Sequence, residues 1–404
     1  MTDRTPAVTL EDPRDVDERR AYARTVMQSL APSMSDDDAS IDAWLARTHG
    51  PARISIARVG DRPVGGLITI PMAHFLHGAR VSMAGINGVA IAPEARASGV
   101  ATTMMKLCVR RLRDEGFALS SLFPATWSVY RRAGYAAAGS QQLRAIPVHL
   151  LPPIDRSHEV VRIDPERDRA RVEALYRAWA AEQHGALDRG AWLWQRVLHG
   201  ARERRYCYLF SRAGRDVGYV VFAEKPTASL DYDLAVADFV ALDADAARAV
   251  WGFLGAHRSL ARNVTLHVAP GDPRVLLLGE PPRHSIVEDF HWMTRVLDVP
   301  RALTERRYPT GLGATLGVRV RDDVIAENDG AFTLSIADRA ASIVRGEPGA
   351  AAIDLDVRAL ASLYTGFLSA RALATMGQLS GDAHALDLAD AIFASPAPWL
   401  PDMF

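Results

Sequence analysis

Between Val89 and Ala101 the sequence reads Val-Ala-Ile-Ala-Pro-Glu-Ala-Arg-Ala-Ser-Gly-Val-Ala, an apolar strand that runs through a loop of small residues straight into a helix. In this arrangement the first helical turn offers N–H groups with no intrahelical partner, and the helix dipole favours an anion beside them. Ala97, Ser98, Gly99 and Ala101 let the backbone approach a ligand closely, Val100 opens the helix, and Arg96 can add a charge-assisted contact. By these criteria the segment is a pyrophosphate cradle. It lacks the Lys-Ser/Thr pair of a triphosphate loop, and it is not the G-x-G-x-x-G turn of a dinucleotide site.

The residues downstream of the cradle fit the same plan. A helix is expected from about Gly99 to Glu115, with Val100, Met104, Leu107, Cys108 and Leu112 on one stripe, then a buried strand from Phe117 to Phe123. Ser128 to Tyr135 reads as a short helix ended by Gly134. Strand, cradle, helix, strand and a Tyr-x-x-x-Gly-Tyr helix in this order resemble the second half of a GNAT acyltransferase domain, and Arg96-x-x-Gly99-x-Ala101 resembles that family's coenzyme A signature. The resemblance implies acetyl-CoA as cosubstrate, with Val89, Ala90 and Ile91 along its pantetheine arm and Arg96 to Ala101 around its pyrophosphate.

Upstream, helices at Asp15 to Gln28 and Asp37 to Ala46 and strands at Arg53 to Val59, Pro63 to Pro71 and Arg80 to Ile91 complete a first α/β unit over residues 1–150. The plan then repeats over residues 151–300. Helices at Glu166 to Glu182 and Arg189 to Leu198 precede strands at Tyr206 to Ser211, Val217 to Ala223 and Leu234 to Leu242. There the helix opens on Asp243-Ala244-Asp245-Ala246-Ala247, without glycine and with two acids where a pyrophosphate would sit, so this second unit is expected to have lost coenzyme binding. Residues 301–404 change character. Strands at Gly317 to Val320, Asp323 to Glu327 and Gly330 to Ile336, and helices at Asp356 to Thr365, Ser369 to Met376 and Ala383 to Phe393, make a small α+β unit similar to a sterol-carrier-protein domain. Tandem GNAT units, the second degenerate, followed by such a cap resemble the Eis family over the whole chain.

Composition narrows the partners. With 47 basic and 48 acidic residues no global field recruits nucleic acid or an anionic membrane. No apolar stretch reaches spanning length, no secretory pattern opens the chain, and two cysteines, Cys108 and Cys207, both in apolar segments, suit a reducing cytoplasm. The 12 histidines show no metal-ligand spacing, and the reaction needs no metal.

Acetyl transfer needs a deprotonated amine, a polarised carbonyl and an acid for the departing thiolate. The resemblance gives the acid's role to Tyr130, leaving Tyr135 structural, and places an oxyanion-binding N–H at Ile91. It also implies that the chain's terminal carboxylate, on Phe404, enters the first unit's active site. The tail Pro396 to Phe404 holds Trp399, Leu400, Met403, Phe404 and three prolines, which is no composition for disorder, and Asp402 is a rival carboxylate. Asp36, Asp37 and Asp38 fit helix capping better than recognition of a cationic acceptor, and Trp44 could stack on an acceptor or serve the core. The family implies aminoglycosides, lysine-like amines or protein lysines as acceptors, and a hexamer. A non-catalytic ligand- or lipid-binding scaffold built on the same domains is the alternative, though such a module has no reason to keep both the cradle and Tyr130.

Overall fold

The computed structural model describes residues 7–31, 33–48, 52–200, 203–279, 285–346, 349 and 351–404. The first unit is an antiparallel run of β1 (Val8–Glu11), β2 (Arg53–Val59), β3 (Arg62–Leu76) and β4 (Ala79–Ile91), with α1 (Val16–Leu30) and α2 (Asp38–Thr48) between β1 and β2 in the chain. The Asp15 carboxylate accepts the Glu18 N–H at 2.8 Å and starts α1, whose Tyr22, Ala23, Val26 and Met27 form the buried stripe. The crossover α3 (Val100–Asp114) leads to β5 (Leu119–Leu122), which runs parallel to β4, and then to α4 (Trp127–Arg132) and β6 (Ala136–Pro147). On α3 the buried stripe is Val100, Met104, Met105, Cys108, Val109 and Leu112, packed with Ala84 and Ile86 of β4, while Leu107 is only half-buried.

The second unit repeats this order. It holds β7 (Glu159–Arg162), α5 (Arg169–Ala180), β8 (Leu187–Asp188), α6 (Ala191–His199), β9 (Tyr206–Arg212), β10 (Arg215–Pro226) and β11 (Tyr232–Ala241). The crossover α7 (Ala244–Gly255), the parallel strand β12 (Ala261–Val268), α8 (Pro273–Leu276) and β13 (Ser285–Val296) come next. All thirteen strands join one sheet in the order β1-β2-β3-β4-β5-β13-β6-β12-β11-β10-β9-β7, with β8 paired to β3. The two units exchange their last strands. β13 lies between β5 and β6, and β6 pairs with β12, so a cut near residue 150 divides the chain but not the sheet.

Six of these strands, β1, β6, β7, β8, β12 and β13, are not expected from the sequence. Much of β6 is Ala-Ala-Ala-Gly-Ser-Gln-Gln, a composition without strand preference, held extended by ladders on both sides. The strand expected to end at Pro71 is also longer. Pro71 lies just past the last β2–β3 pair, Arg53 with Thr69, and β3 continues to Leu76.

The third unit begins after α9 (Val299–Glu305). Its sheet has the order β16-β15-β14-β17-β18, from β14 (Ala314–Arg321), β15 (Gly330–Ala337), β16 (Ala340–Arg345), β17 (Ala352–Asp356) and β18 (Leu379–Gly381). Its helices are α10 (Val357–Tyr364), α11 (Ala370–Thr375) and α12 (Ala383–Phe393). The strand expected at Asp323 to Glu327 is not formed. The Asp322 carboxylate accepts the N–H groups of Val324 (3.0 Å) and Ile325 (3.1 Å) and pairs with buried Arg295 (2.6 Å), so local side-chain bonds curl the segment into a 3-10 turn. No helix among the described residues is long and apolar enough to cross a membrane.

Candidate active site

β4 and β5 part company at the centre of the sheet. Their parallel ladder pairs Met83 with Leu119, Ala84 with Ser120 and Gly85 with Ser121, and there it ends, although β4 runs on to Ile91. Beyond Gly85, then, the strand's outward N–H and C=O groups face a gap. The Ala92 N–H donates to Val64 O on β3 at 2.9 Å, so the alternation of an extended strand turns the Ile91 N–H the other way, toward that gap.

The loop after β4 has the form a pyrophosphate requires. Ala97 (φ +59°) and Gly99 (φ +81°) are both left-handed, and Gly99 is the N-cap of α3 without any side-chain cap. The first bond of that helix is Thr103 N–H to Gly99 O, which leaves the preceding N–H groups of the turn without a helical partner. Arg96 to Gly99 are exposed, and Val100 is buried beneath them. Arg96 is oriented by its Nε bond to Ile91 O (3.1 Å) and an Nη bond to Ser29 Oγ (2.8 Å). A left-handed alanine is a small local strain, held by the loop it shapes.

Tyr130 stands on α4, its ring buried among the residues that pack α3 onto β4, edge-on to Tyr135 at 6.2 Å. Burial pushes its phenol up to about 12. Tyr135 is a different kind of tyrosine, fully buried and bonded to Ser120 Oγ at 2.7 Å.

Phe404 lies on the opposite face of the sheet. Its ring packs where a side chain on Gly85 would be, since a Cβ there would come within 2.8 Å of it, and it meets Phe123 edge-on at 5.8 Å. The gap is therefore flanked by Tyr130 on the α3 face and by the Phe404 ring on the other.

The tail that brings Phe404 there is docked throughout. Pro398 O accepts the Ser140 N–H (3.2 Å), the Trp399 N–H donates to His184 O (3.0 Å), and Leu400 O accepts from Gln141 Nε2 (2.6 Å). Gly139 and Gly185 line this path, and a Cβ on either would strike the tail backbone at 2.5 Å and 2.7 Å. Asp402 is buried against Arg189 (2.9 Å), which also holds Asp238 (2.5 Å); the Tyr219 hydroxyl donates to Asp238 at 2.6 Å, and Arg189 covers the Tyr176 ring at 3.7 Å. Burial pushes the Asp402 carboxyl above its ordinary range and Arg189 opposes the shift. The rival carboxylate is thus an anchor. Arg189 carries no sequence signal for this role, because its partners lie 49 and 213 residues away.

A buried polar relay beneath the gap also escapes sequence reasoning. His74 Nδ1 bonds Gly185 O (2.7 Å), its Nε2 meets Ser121 Oγ (3.0 Å), and Ser121 meets Thr294 Oγ1 (2.7 Å), with Trp292 stacked on the imidazole at 5.1 Å. The acids before α2 serve structure. Asp37 accepts the Ser40 N–H at 2.8 Å, Asp38 pairs with Arg24 at 2.5 Å, and Trp44 lies 6.4 Å from the Tyr22 ring.

The second unit has the same gap in a closed form. Its β11–β12 ladder ends at Val236 and Leu266, but Trp399 and Arg274 stand at the opening and leave a cavity of only about 10 Å³. Asp243 caps the Ala246 N–H at 2.8 Å and is paired with Arg212 at 2.6 Å, so α7 offers a carboxylate where α3 offers free donors.

Known proteins share these features. Acetyltransferase (GNAT) domain models match residues 14–138 and 185–296, and a sterol carrier protein domain model matches 299–401. N-acetyltransferase Eis of Mycobacterium tuberculosis is 30% identical over 333 residues, 78% of this chain and 79% of that one. An uncharacterized N-acetyltransferase of Streptomyces griseus is 29% identical over 81% of this chain and 83% of its own. The crystal structure of a GCN5-related N-acetyltransferase from Anabaena variabilis superposes with a TM-score of 0.91 at 30% identity, covering 98% of this chain and all of that one. One from Kribbella flavida gives 0.83 at 28% identity, covering 99% of each. The scaffold alternative gives way to an enzyme, and this chain belongs to the Eis family of GNAT N-acetyltransferases.

Proposed function

We propose that the first unit transfers an acetyl group from acetyl-CoA to an amine by direct attack, in the gap between β4 and β5. The observation that carries this is an opening in the sheet ladder with the cradle at its end, Tyr130 on one face and the chain terminus on the other. The coenzyme's pyrophosphate would lie on the free N–H groups after Gly99 with Arg96 beside it, and its pantetheine arm along Val89, Ala90 and Ile91 as an added strand.

The amine nitrogen bonds to the thioester carbon, and the negative charge that develops on the carbonyl oxygen is met by the Ile91 N–H. As the carbon–sulfur bond breaks, Tyr130 gives its proton to the thiolate and regains one from solvent. A phenol held near 12 stays protonated at neutral pH, so its proton is present when the thiolate leaves. The Phe404 carboxylate, a weak base by its ordinary range, orients the amine and passes its proton through water.

Thiol release with acetyl-CoA and a panel of amines tests this reading. Tyr130→Phe keeps the ring and removes the proton, so turnover should fall by about a hundredfold or more with coenzyme affinity unchanged. A variant that turns over like the parent removes Tyr130 from the mechanism.

A further inference from the structure

All three units meet at the turn between β3 and β4, around a cleft of about 480 Å³. His77 lines it from the first unit, Glu182 and His184 from the second, Arg307 and Arg339 from the third, and Pro396 from the root of the tail. The coenzyme cradle is elsewhere. β4 begins beside the cleft at Ala79 and runs thirteen residues, up to about 40 Å, before the cradle loop.

The walls of this cleft carry more positive charge than negative. Arg339 spends its Nε on Tyr308 O (3.3 Å) and one Nη on His77 O (2.9 Å), both carbonyls, and the exposed Arg307 side chain has no ion-pair partner among the described residues. Glu182 is exposed, and it too has no ion pair there. Behind the histidines lies Arg306, 1% exposed, which gives its Nε to Arg307 O (3.2 Å) and one Nη to Tyr364 O, while the other Nη is enclosed without a partner. Its guanidinium sits 4.8 Å, 5.1 Å and 5.2 Å from the Tyr308, Tyr364 and Phe393 rings, and the neighbouring carboxylate, Glu305, is taken by Arg301 at 2.6 Å and by Ser82. The two imidazoles do not add to the charge at neutral pH. His184 gives its Nε2 proton to Thr365 O (3.0 Å) and accepts the His77 N–H on Nδ1 (3.4 Å), and burial together with Arg306 holds both rings below the ordinary imidazole range.

Three arginines without a carboxylate partner, one of them buried, against a single carboxylate make an anion receptor, because the field of a buried charge reaches into a cleft that water screens poorly. A planar carboxylate fills the fork of one guanidinium, whereas a phosphate carries nearly two charges and offers oxygens to guanidinium groups on different sides. We propose that this cleft binds a phosphate dianion, as the free ion or as the head of a small ester, between Arg307 and Arg339, and that the bound anion braces the root of the tail. The groups beside it are the ones that hold the tail in place: His77 Nε2 donates to Ala394 O at 3.0 Å, and His184 O accepts the Trp399 N–H at 3.0 Å. A cleft of this size has room beyond one phosphate group, which favours an ester whose hydroxyls reach Glu182.

Calorimetry of the full chain at constant ionic strength, with coenzyme A present to fill the cradle, compares D-ribose 5-phosphate with D-ribose and with inorganic phosphate. The ester should bind, ribose should not, and inorganic phosphate should compete with the ester; whichever of the two binds tighter identifies the source of the anion. Arg307→Ala should weaken the ester by about tenfold or more without lowering the melting temperature of the unliganded protein, Arg307→Lys should keep part of the affinity, and Arg215→Ala, at the start of β10, should leave it intact. Hydrogen exchange at the Trp399 amide should slow when the ester is bound to the parent and stay unchanged in Arg307→Ala. Ribose binding as well as its phosphate, no binding of either phosphate, or an affinity that survives Arg307→Ala overturns the site. Binding that leaves Trp399 exchange unchanged upholds the site and overturns its hold on the tail.

Discussion

A single backbone angle decides whether the cradle exists. Gly99 has φ +81° at the N-cap of α3, a conformation that side chains rarely adopt, and it stands beside the N–H groups that would meet the pyrophosphate. Gly99→Asp adds a left-handed strain of about 1–3 kcal/mol and a carboxylate that caps the helix itself, much as Asp243 does in the second unit. The folded variant should show no coenzyme binding by calorimetry, and unchanged affinity would return the loop to an ordinary helix start. This residue is legible in the sequence because small residues at a strand-to-helix junction have few other uses. Arg189 and His74 are not legible, since their chemistry comes from partners that only the fold brings near, and an isolated arginine or histidine between apolar neighbours carries no such mark.

Among the elements, the tail shows most clearly what composition can and cannot convey. Its apolar residues and prolines mark it as ordered, yet its path depends on Gly85, Gly139 and Gly185, three separated positions where a side chain would occupy its place. The path makes Asp402 an anchor and leaves the terminal carboxylate of Phe404 for the proposed chemistry. Asp402→Ala leaves Arg189 with one carboxylate instead of two in a buried setting, so stability should fall by up to about 3 kcal/mol and turnover with it as the terminus loosens. A few residues added after Phe404 move the terminal charge while leaving the Arg189 pair intact. The extended protein should therefore lose turnover by about tenfold or more with its melting temperature nearly unchanged. A fully active extended form would eliminate the terminal carboxylate from the mechanism. The strand β6 gives the opposite lesson, because its small and polar residues are held extended by neighbours on both sides rather than by propensity.

At the scale of the molecule, the exchange of β6 and β13 makes the second unit part of the first unit's sheet even where its own gap is closed. Coenzyme titration should consequently saturate at one per chain, and a stoichiometry of two would show that Asp243 and Trp399 do not block the second gap. The same interweaving buries several histidines as neutral groups at the seam. His74 is held at about 4 by burial, and burial also takes His184 well below the ordinary imidazole range. The unfolded chain protonates these rings as pH falls through about 6.5, while the native protein does so only near 4 for His74, so the unfolded state gains protons first. Stability contributed by neutral His74 is complete above about pH 6.5, declines between there and pH 4, and changes little below; the whole decline amounts to about 3 kcal/mol. Thermal melts should accordingly fall by a few degrees from pH 7.5 to pH 5. His74→Gln keeps a donor and an acceptor for Gly185 and Ser121 but cannot titrate, so it should melt lower at neutral pH from imperfect packing and lose less on acidification. An equal acid slope in parent and variant would show that His74 does not set the acid limit of the fold, and would pass that role to His184 and the other buried imidazoles.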